Sequence, residues 1–277
     1  MNLYKTTPFI KWAGGKKQLL EKLMDRMPEN YNNYYEPFIG GGALMFGVQP
    51  VNATLSDINE QLVNAYNQIK ANADELIALV HNFDSVECNK EHYFDMRSKY
   101  NQKIIDHALD VECAAMLIWI NKHCFNGLYR VNLKGLFNVP YNNKTAGASI
   151  VDENIKNIER LLNENNINII HSDFEKTCEN VKKGDFVYFD SPYVPESPTA
   201  SFTTYTKGGF NEKEHIRLAE LYKTLDQKGA YLMLSNNNVE WVHELYHGFN
   251  IEEIDARRNV NRNGKDRKGK EVIITNY

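Results

Sequence analysis

The sequence predicts an α/β fold in which a doubly wound sheet is interrupted by a mainly helical insertion. Short aromatic and β-branched runs alternate with helical periodicity at both ends of the chain, the pattern of a sheet covered by helices. The middle of the chain is helical and then loop-rich. With 277 residues, 42% of them hydrophobic, the chain is long enough to bury a large core. We therefore expect a discontinuous sheet domain over 1–59 and 149–277, with an insertion over 60–148.

The first half of the chain is predicted to hold two strands and several helices. Leucines and lysines at helical spacing end at Pro28, which stops the first helix. Leu62, Tyr66 and Ile69 mark the buried face of a longer one. The predicted elements are a helix over 16–27, a strand over 34–38 that runs into a glycine loop, a helix from 43, a strand over 54–56, helical sequence over 59–102 and a helix over 108–124.

The second half begins with turn-rich, polar sequence over 125–148 and then resumes the alternating pattern. Asn211 with Glu214 three residues later is an N-cap signal, and the loop before it contains Pro195 and Pro198. The predicted elements are a helix over 152–163, strands over 167–170 and 186–189, a helix over 211–227, a strand over 231–234, a short helix over 239–246 and strands over 249–255 and 271–276.

Membrane, exported and disulfide-rich proteins are disfavoured by the sequence. The longest apolar run, 114–120, is far shorter than the roughly 18 residues of a membrane span. The N-terminal residues contain no apolar signal region, so we expect a cytoplasmic protein. The cysteines have neither C-x-x-C spacing nor nearby paired histidines, and we interpret them as reduced thiols, with no metal site. They are Cys88, Cys113, Cys124 and Cys178.

Basic residues are clustered although the net charge is −4. Residues 1–20 contain four lysines and no acid, and 113–151 contain no acid either. Residues 257–270 contain seven basic residues against one aspartate. Three such segments favour a surface that binds a polyanion, because phosphate contacts supply most non-specific affinity for nucleic acids. Three ordinary solvated loops are the alternative.

A tetrapeptide after the predicted strand 186–189 carries the first chemical signal. Asp190, Ser191, Pro192 and Tyr193 stand at the carboxyl end of a buried strand, where open α/β sheets bind their ligands. The arrangement suits the positioning of a flat amino group: a carboxylate accepts one N–H, a backbone carbonyl accepts the other and an aromatic ring stacks on the substrate. A strand-terminating turn is the alternative, and four residues alone do not exclude it.

The glycine loop after the predicted strand 34–38 is the second signal. Gly40 and Gly42 allow close approach of a ligand to the backbone, and the following helix offers free N–H groups. Asp57 ends the next strand, where an acid can accept hydrogen bonds from ribose hydroxyls. A nicotinamide dinucleotide fits such a loop as S-adenosylmethionine does. The glycines are not in G-x-G-x-x-G spacing, however, and Glu36 suits a cofactor with a sulfonium and an ammonium better than a pyrophosphate.

Nine motifs occur in the order of the Dam-type DNA adenine methyltransferases, and the chain resembles that family over nearly its whole length. The motifs are FIKWAGGK at 9–16, EPFIGGG at 36–42, DIN at 57–59, NGLYR at 126–130, FNVP at 137–140, DSPY at 190–193, F-T-x-Y at 202–205, LSN at 234–236 and IITNY at 273–277. The resemblance implies a Rossmann-like methyltransferase sheet with an inserted target-recognition domain. It also implies S-adenosyl-L-methionine as cofactor and S-adenosyl-L-homocysteine as product.

The resemblance assigns roles around the cofactor. Asp57 matches the ribose-binding acid, and Asp173 and Phe174 match a pair that accepts the cofactor adenine's amino group and covers its ring. The remaining positions implied for the cofactor pocket are Trp12, Lys16, Glu36, Phe38, Gly40, Gly42 and Asp190.

The resemblance also assigns catalysis and DNA recognition. The segment Asp190 to Tyr193, with Ser191 and Pro192, matches the catalytic tetrapeptide, in which the acid and the tyrosine hold an adenine flipped out of double-stranded DNA. Lys11 and Arg130 match positions that read guanines, and Phe125 matches an aromatic that fills the gap left by the base. Asn126, Asn132 and Pro140 complete the implied DNA-binding set. Such enzymes commonly methylate GATC, and the resemblance implies action on nucleoid DNA.

Each assignment has a structural alternative. Trp12 and Phe174 would otherwise be core aromatics, and Lys16 would extend its amine into water from a helix. Asp57 and Asp173 would otherwise be helix N-caps. Lys11 and Arg130 would otherwise be phosphate contacts, because most protein–DNA hydrogen bonds go to the backbone.

The tetrapeptide departs from the family pattern at Ser191, where proline is usual. A backbone carbonyl is available from any residue, and Pro192 independently confines Ser191 to extended geometry, so we expect activity to be retained. The alternatives are a non-catalytic DNA-binding relative, an RNA or protein-amide methyltransferase and, least favoured, a dinucleotide oxidoreductase. Neither an orphan enzyme nor one partnered with a restriction endonuclease of the same specificity is excluded.

Overall fold

Seven strands form a single sheet in the order β3-β2-β1-β4-β5-β7-β6. The computed structural model describes residues 4–144, 147–195, 209–257 and 268–277. Strands β1 to β5 are mutually parallel, and β7 is antiparallel to its two neighbours, β5 and β6. The strands are β1 (Tyr34–Glu36), β2 (Asn52–Asp57), β3 (Asn166–His171), β4 (Phe186–Phe189), β5 (Tyr231–Asn237), β6 (Asn250–Arg257) and β7 (Lys268–Thr275). All seven were predicted, with differences of a few residues at their ends.

Helices pack on both faces of the sheet, so the doubly wound α/β prediction is confirmed. Side chains alternate between the faces along each strand. In β1, Tyr34 belongs to one hydrophobic cluster and Tyr35 to the other; in β4, Tyr188 and Phe189 divide in the same way. The α-helices are α1 (Leu20–Met24), α2 (Ala43–Val48), α3 (Glu60–Asp84), α4 (Lys90–Ile105), α5 (Val111–His123), α6 (Asp152–Glu164), α7 (Phe174–Thr177), α8 (Glu212–Gln227) and α9 (Glu240–Leu245).

The helical sequence predicted over 59–102 is two helices, α3 and α4. The side chain of Asn89 accepts a hydrogen bond from the backbone N–H of His92 at 2.9 Å and so begins α4. The hydroxyl of Ser85 donates to the carbonyl of Asn82 at the end of α3. Apolar periodicity continues across the turn, because both helices bury a face in the same core, and it therefore concealed the break.

The predicted helix over 16–27 is shorter in the structure. Residues Lys16–Gln18 form a 3₁₀ turn and α1 follows it. The N-cap prediction at Asn211 is confirmed, since its side chain accepts from the backbone N–H of Lys213 at 2.9 Å. The four-residue α7, which Asp173 caps, was not predicted.

The insertion consists of α3, α4 and α5 followed by a hairpin loop, here defined as residues 124–141. Isolated bridges join Cys124 to Tyr141 and Val131 to Phe137 across this loop. The three helices share the hydrophobic cluster that lies on one face of the sheet. The boundaries 60 and 148 therefore remain a prediction.

Two predicted features lie outside the described residues: the F-T-x-Y motif at 202–205 with Pro198, and residues 258–267 of the third basic segment. The four cysteines are all free thiols. Within the described ranges, no helix combines the length and apolarity that crossing a membrane requires.

Candidate active site

The predicted site residues converge where the strand order of the sheet reverses. Strands β1 and β4 are adjacent and parallel, although 150 residues separate them in the chain. Their carboxyl ends place Glu36 and Asp190 beside one another, in the crevice where open α/β sheets bind ligands. This topology, with parallel strands leading into loops at one edge, brings the two strongest sequence signals into one site.

Lys16 forms an ion pair with Asp190 in this crevice. Its Nζ lies 2.6 Å from Asp190 Oδ1 and donates to the carbonyl of Gly14 at 2.6 Å. The same Nζ lies 4.6 Å from the centre of the Tyr193 ring. The Lys16 side chain is only 5% exposed, which excludes the alternative of an amine extended into water. The resemblance placed Lys16 at the cofactor, and the structure places its ammonium on the predicted catalytic acid.

Asp190 is held between opposing electrostatic influences. Burial raises the pKa of its carboxyl group, the Lys16 ammonium opposes that rise and the carboxylate of Glu271 adds to it. The paired lysine therefore favours the ionised acid, the form that can accept a hydrogen bond from an amino group.

The catalytic segment is clamped by strand β5. The Asn236 side chain accepts from the backbone N–H of Val194 at 2.9 Å, and Asn237 Nδ2 donates to the Val194 carbonyl at 2.7 Å. Ser191 is 2% exposed, and its hydroxyl has no hydrogen-bond partner in the described part of the chain. The clamp therefore holds the backbone directly after the tetrapeptide, at Val194.

The side chain of Asp57 binds backbone N–H groups, one of them in the glycine loop. The carboxylate accepts from the backbone N–H of Gly40 at 3.1 Å and from that of Asn59 at 2.8 Å. The N-cap of α3 is Asn59, whose side chain accepts from the N–H of Leu62 at 3.0 Å, so the N-cap alternative for Asp57 is wrong. Burial raises the pKa of Asp57 to about 6, and the backbone donors oppose this.

Gly42 occupies a crowded position at which a larger residue would force its neighbours to shift. Its φ of +70° is left-handed, and a Cβ there would lie 2.6 Å from the hydroxyl of Tyr66. That hydroxyl donates to the carbonyl of Gly40 at 3.0 Å and so closes the loop. Trp12 packs against the same loop, where a Cβ at Gly40 would lie 3.0 Å from its ring.

Glu36 is buried at the end of β1, with 2% of its surface exposed. Its carboxylate accepts from the hydroxyl of Tyr34 at 2.7 Å. Burial raises its pKa to about 8, and the hydrogen bond from Tyr34 opposes this. Burial therefore favours the protonated form of Glu36 near neutral pH, although the nearby Lys16 ammonium opposes this.

Asp173 and Phe174 already have protein partners. Asp173 caps α7, accepting from the N–H of Glu175 at 3.0 Å, and it pairs with Arg217. The Arg217 guanidinium lies 4.2 Å from the centre of the Phe174 ring. The Phe38 ring stacks on the Phe174 ring, with 5.4 Å between the two ring centres. The structure therefore contains both alternatives: Asp173 is a helix N-cap, and Phe174 is a buried core aromatic. An adenine on the face that Arg217 covers would have to displace the guanidinium, so the adenine-binding role remains a prediction.

All six residues predicted to bind DNA are exposed, and five lie on the hairpin loop. Arg130 is oriented by Asn138, whose side chain accepts from Arg130 Nε at 2.7 Å. Asn132 stabilises the turn at the tip, where its side chain accepts from the N–H groups of Lys134 and Leu136. The hairpin-loop residues of the predicted set are Phe125, Asn126, Arg130, Asn132 and Pro140.

Lys11, the sixth, lies against this loop through Asn121. The Asn121 side chain accepts from the N–H of Lys11 at 3.0 Å and donates to the carbonyls of Lys11 and Gly127. The neighbouring Trp12 stacks on Tyr129 at 5.1 Å. The chain from Lys11 to the glycine loop thus joins the predicted DNA surface to the predicted cofactor pocket.

Among the described residues, several polar side chains at the site were not predicted from the sequence, and Glu271, Arg217 and Tyr66 are the clearest cases. Glu271 accepts a hydrogen bond from the hydroxyl of Tyr193, Arg217 pairs with Asp173 and Tyr66 closes the glycine loop. Each lies far in sequence from its partner and outside the recognised motifs. Tyr66 shows only as an apolar position on the face of α3, so no local signal distinguishes it.

The family model described as D12 class N6 adenine-specific DNA methyltransferase matches residues 12–260 of this chain. The chain belongs to this family. The chain is 46% identical over 278 residues to Type II methyltransferase M1.LlaDCHI of Lactococcus lactis subsp. cremoris, covering 100% of this chain and 97% of that protein. It is 43% identical over 288 residues to Type II methyltransferase M.MjaIII of Methanocaldococcus jannaschii, covering 98% and 99%. DNA adenine methylase of Vibrio cholerae is 32% identical over 272 residues, covering 98% and 95%.

The predicted family is therefore confirmed, and with it the class of reaction. As a D12 class methyltransferase, the chain is an adenine-specific DNA methyltransferase, and its sheet is the Rossmann-like sheet that the resemblance implied. The oxidoreductase alternative is wrong. The individual roles of the site residues are the subject of the next subsection.

Proposed function

We propose that this chain transfers the methyl group of S-adenosyl-L-methionine to the exocyclic nitrogen of an adenine flipped out of duplex DNA, within GATC. The observation that carries the proposal is the ion pair between the buried Lys16 and the partly buried Asp190, 2.6 Å long, at the switch point between β1 and β4. A charged, clamped acid in that crevice has the placement that amino-group chemistry needs.

The residues present suit the proposed cofactor. Glu36, Asp57 and Asp190 place three carboxyl groups at adjacent strand ends, and a positively charged ligand there would favour the ionised form of each. Tyr66 and Phe46 pack against Gly42 in the glycine loop, whose backbone N–H groups would be available to the cofactor. Asp57, fixed by two backbone N–H groups, would accept the ribose hydroxyls, and Trp12, Lys16 and Phe38 would line the pocket. When bound, the cofactor supplies an electrophilic methyl group.

Asp190 and the carbonyl of residue 191 would orient the adenine amine so that its lone pair faces that methyl group. Transfer would form a nitrogen–carbon bond in place of the cofactor's carbon–sulfur bond, and the amine proton would leave to solvent. The chain contributes positioning and charge stabilisation more than proton abstraction. Tyr193 would stack on the flipped base. The adenine amine is out of reach within a stacked duplex, which is why flipping is needed.

The hairpin loop and Lys11 would read the sequence around the target. Arg130, held by Asn138, is suited to a bidentate contact with guanine. Phe125 is 50% exposed at the base of the loop, where it could fill the space of the flipped base. The 32% identity to DNA adenine methylase supports GATC as the site, and the names of the Type II relatives support a restriction endonuclease of the same specificity as a partner. Such an enzyme would act on nucleoid DNA in the cytoplasm.

Transfer of tritium from labelled S-adenosyl-L-methionine tests the proposal. We expect label in duplexes containing GATC, and none in duplexes in which the adenine is replaced, in RNA or in protein. Label in RNA or protein alone would support a rival methyltransferase. Cofactor binding without any transfer would support a non-catalytic DNA-binding relative.

A further inference from the structure

Glu271 contacts the catalytic tetrapeptide from β7, the last strand of the chain, which lies between β5 and the edge strand β6. Its Oε2 accepts a hydrogen bond from the hydroxyl of Tyr193 at 2.7 Å. Glu271 lies near the start of β7, opposite Asn237 of β5 and Ile254 of β6. It reaches Tyr193 across 78 residues of sequence, and none of the recognised motifs contains it.

Other interactions fix the acid of the tetrapeptide and the backbone that follows it. Asn236 and Asn237 hold the backbone at Val194, and Lys16 holds the carboxylate of Asp190. Neither interaction fixes the tilt of the Tyr193 ring. The ring is partly exposed, and Lys16 Nζ lies 4.6 Å from its centre.

A tethered phenol suits a ring that must stack in one orientation. A tyrosine side chain rotates about two torsions, and a hydrogen bond at the far end of the ring restricts both. An acceptor that carries a charge makes that bond stronger than a neutral one. Stacking on a flipped base requires the ring plane to be set before the base arrives, because a displacement of about 1 Å can cost about a hundred-fold in rate.

We propose that Glu271 is a positioning residue for methyl transfer, which holds the ring of Tyr193 in the orientation that stacks on the target adenine. The inference rests on the proposed function of Tyr193 and extends it to a residue of β7. Glu271 acts through the Tyr193 hydroxyl and touches neither the base nor the methyl group.

A double-mutant cycle on purified full-length protein tests this inference. We expect Glu271→Ala to lower kcat about ten-fold, the rate equivalent of one charge-assisted hydrogen bond, with KM for a GATC duplex and for cofactor within about two-fold of wild type. Glu271→Gln keeps an acceptor oxygen and should restore kcat to within about three-fold. Tyr193→Phe keeps the ring and removes the donor, so the Tyr193→Phe/Glu271→Ala double variant should be no slower than either single variant.

Glu253→Ala is the matched control. Glu253 is a glutamate of the neighbouring strand β6 that pairs with Lys270 at the surface, so its loss should leave kcat unchanged. Wild-type kcat in Glu271→Ala, or losses that multiply in the double variant, would overturn the inference. If Glu271→Ala does not fold, wild-type kcat in Tyr193→Phe overturns it equally. Absence of methylation by the wild-type protein itself would instead contradict the proposed function.

Discussion

At the scale of single residues, Ser191 and Ser235 provide a natural comparison. Both serines are buried near the site, with 2% and 1% of their surface exposed. The hydroxyl of Ser235 shares a hydrogen bond with that of Tyr188 at 2.8 Å, whereas the hydroxyl of Ser191 meets no partner among the described residues. A buried polar group without a partner costs free energy, so the Ser191 hydroxyl contributes nothing that the structure reveals.

Ser191→Ala should therefore be tolerated. We expect it to raise the free energy of unfolding by about 1 kcal/mol or leave it unchanged, and to keep kcat within about three-fold of wild type. Ser235→Ala should lower the free energy of unfolding by about 1–2 kcal/mol, because it leaves the Tyr188 hydroxyl unpaired. Urea melts and initial rates of methylation measure both effects. A loss of activity in Ser191→Ala as large as that in Asp190→Ala would show that the hydroxyl, and not the carbonyl, is what catalysis uses.

Sequence reasoning at this scale located the acid and not its environment. Asp190 is recognisable because it follows an apolar strand and precedes a proline. Lys16, from the start of the chain, pairs with Asp190, and Glu271, from the end of the chain, accepts a hydrogen bond from Tyr193. Only the fold shows these two contacts. Lys16 was predicted to lie in the pocket; that its ammonium pairs with Asp190 was not.

At the scale of elements, the glycine loop between β1 and α2 is fixed by Tyr66 of α3. Gly42 and Gly135 both have positive φ, +70° and +80°. Only Gly42 lacks space, since a Cβ there would meet the Tyr66 hydroxyl at 2.6 Å, while nothing lies within 4 Å of one at Gly135. A larger residue at Gly135 would therefore suffer backbone strain alone, whereas one at Gly42 would suffer both strain and a steric clash.

Gly42→Ala should lower the free energy of unfolding by at least about 2 kcal/mol and weaken cofactor binding, because strain and clash add. Gly135→Ala carries the strain alone. It should lower the free energy of unfolding by about 1 kcal/mol and leave the cofactor Kd unchanged. Thermal melts and calorimetric titration with the cofactor provide the two readouts. Equal Kd values in the two variants would contradict the view that the glycine loop forms part of the cofactor pocket.

Glu36 at the end of β1 makes stability depend on pH. Its pKa is about 8 in the folded protein against an ordinary value of 4.5, so between these values the folded chain binds a proton that the unfolded chain does not. The stability that this group contributes is therefore complete below about pH 4.5 and is lost as the pH rises through 8.

Glu36→Gln, which does not titrate, should gain stability relative to wild type as the pH rises. We expect the difference in unfolding free energy to change by more than about 1 kcal/mol between pH 5 and pH 8.5, measured by urea melts at each pH. Glu153→Gln, at an exposed position of α6, should show no such change. A constant difference for Glu36→Gln would contradict the raised pKa.

The strands were easier to predict than the helices. Buried parallel strands are short apolar runs bounded by turns, as at 186–189, and their sequence is unambiguous. The break between α3 and α4 was missed because the helices bury a common face, and α7 was missed because four residues have no periodicity. The Asn89 N-cap marks the start of α4 locally, but the packing that both helices share carries the apolar pattern across the break.

At the scale of the whole molecule, the chain connects two predicted functions through one short segment. Lys11 lies against the hairpin loop and Trp12 against the glycine loop, so consecutive residues contact the predicted DNA surface and the predicted cofactor pocket. The inserted helices share a core with the sheet, which fixes the hairpin loop relative to Asp190. The family resemblance predicted the order of the motifs along the chain but not these contacts between them.

Arg130 and Lys122 should differ in what their loss does to DNA binding. Arg130→Ala should slow methylation of GATC duplexes about ten-fold or more and relax discrimination at one guanine, because a bidentate contact is worth about 1–3 kcal/mol. Lys122→Ala changes an exposed lysine in the same acid-free segment. It should weaken binding similarly for all DNA sequences. It should also reduce, by about one, the slope of the logarithm of the binding constant against the logarithm of the salt concentration. Rates on duplexes with single substitutions in the site, at several salt concentrations, distinguish the two. If Arg130→Ala weakened binding equally for all of these duplexes, Arg130 would contact a phosphate and not a guanine.

The measurement that tests the central claim most directly is the mapping of methylated adenines in DNA from cells that express this chain. The host should lack adenine methylation of its own. We predict methylation of adenine throughout GATC sites with the wild-type chain and none with Asp190→Ala, while Asp74→Ala, a change at an 88% exposed carboxylate on α3, should match wild type. GATC sites left unmethylated by the wild-type chain, or methylated by Asp190→Ala, would contradict the account.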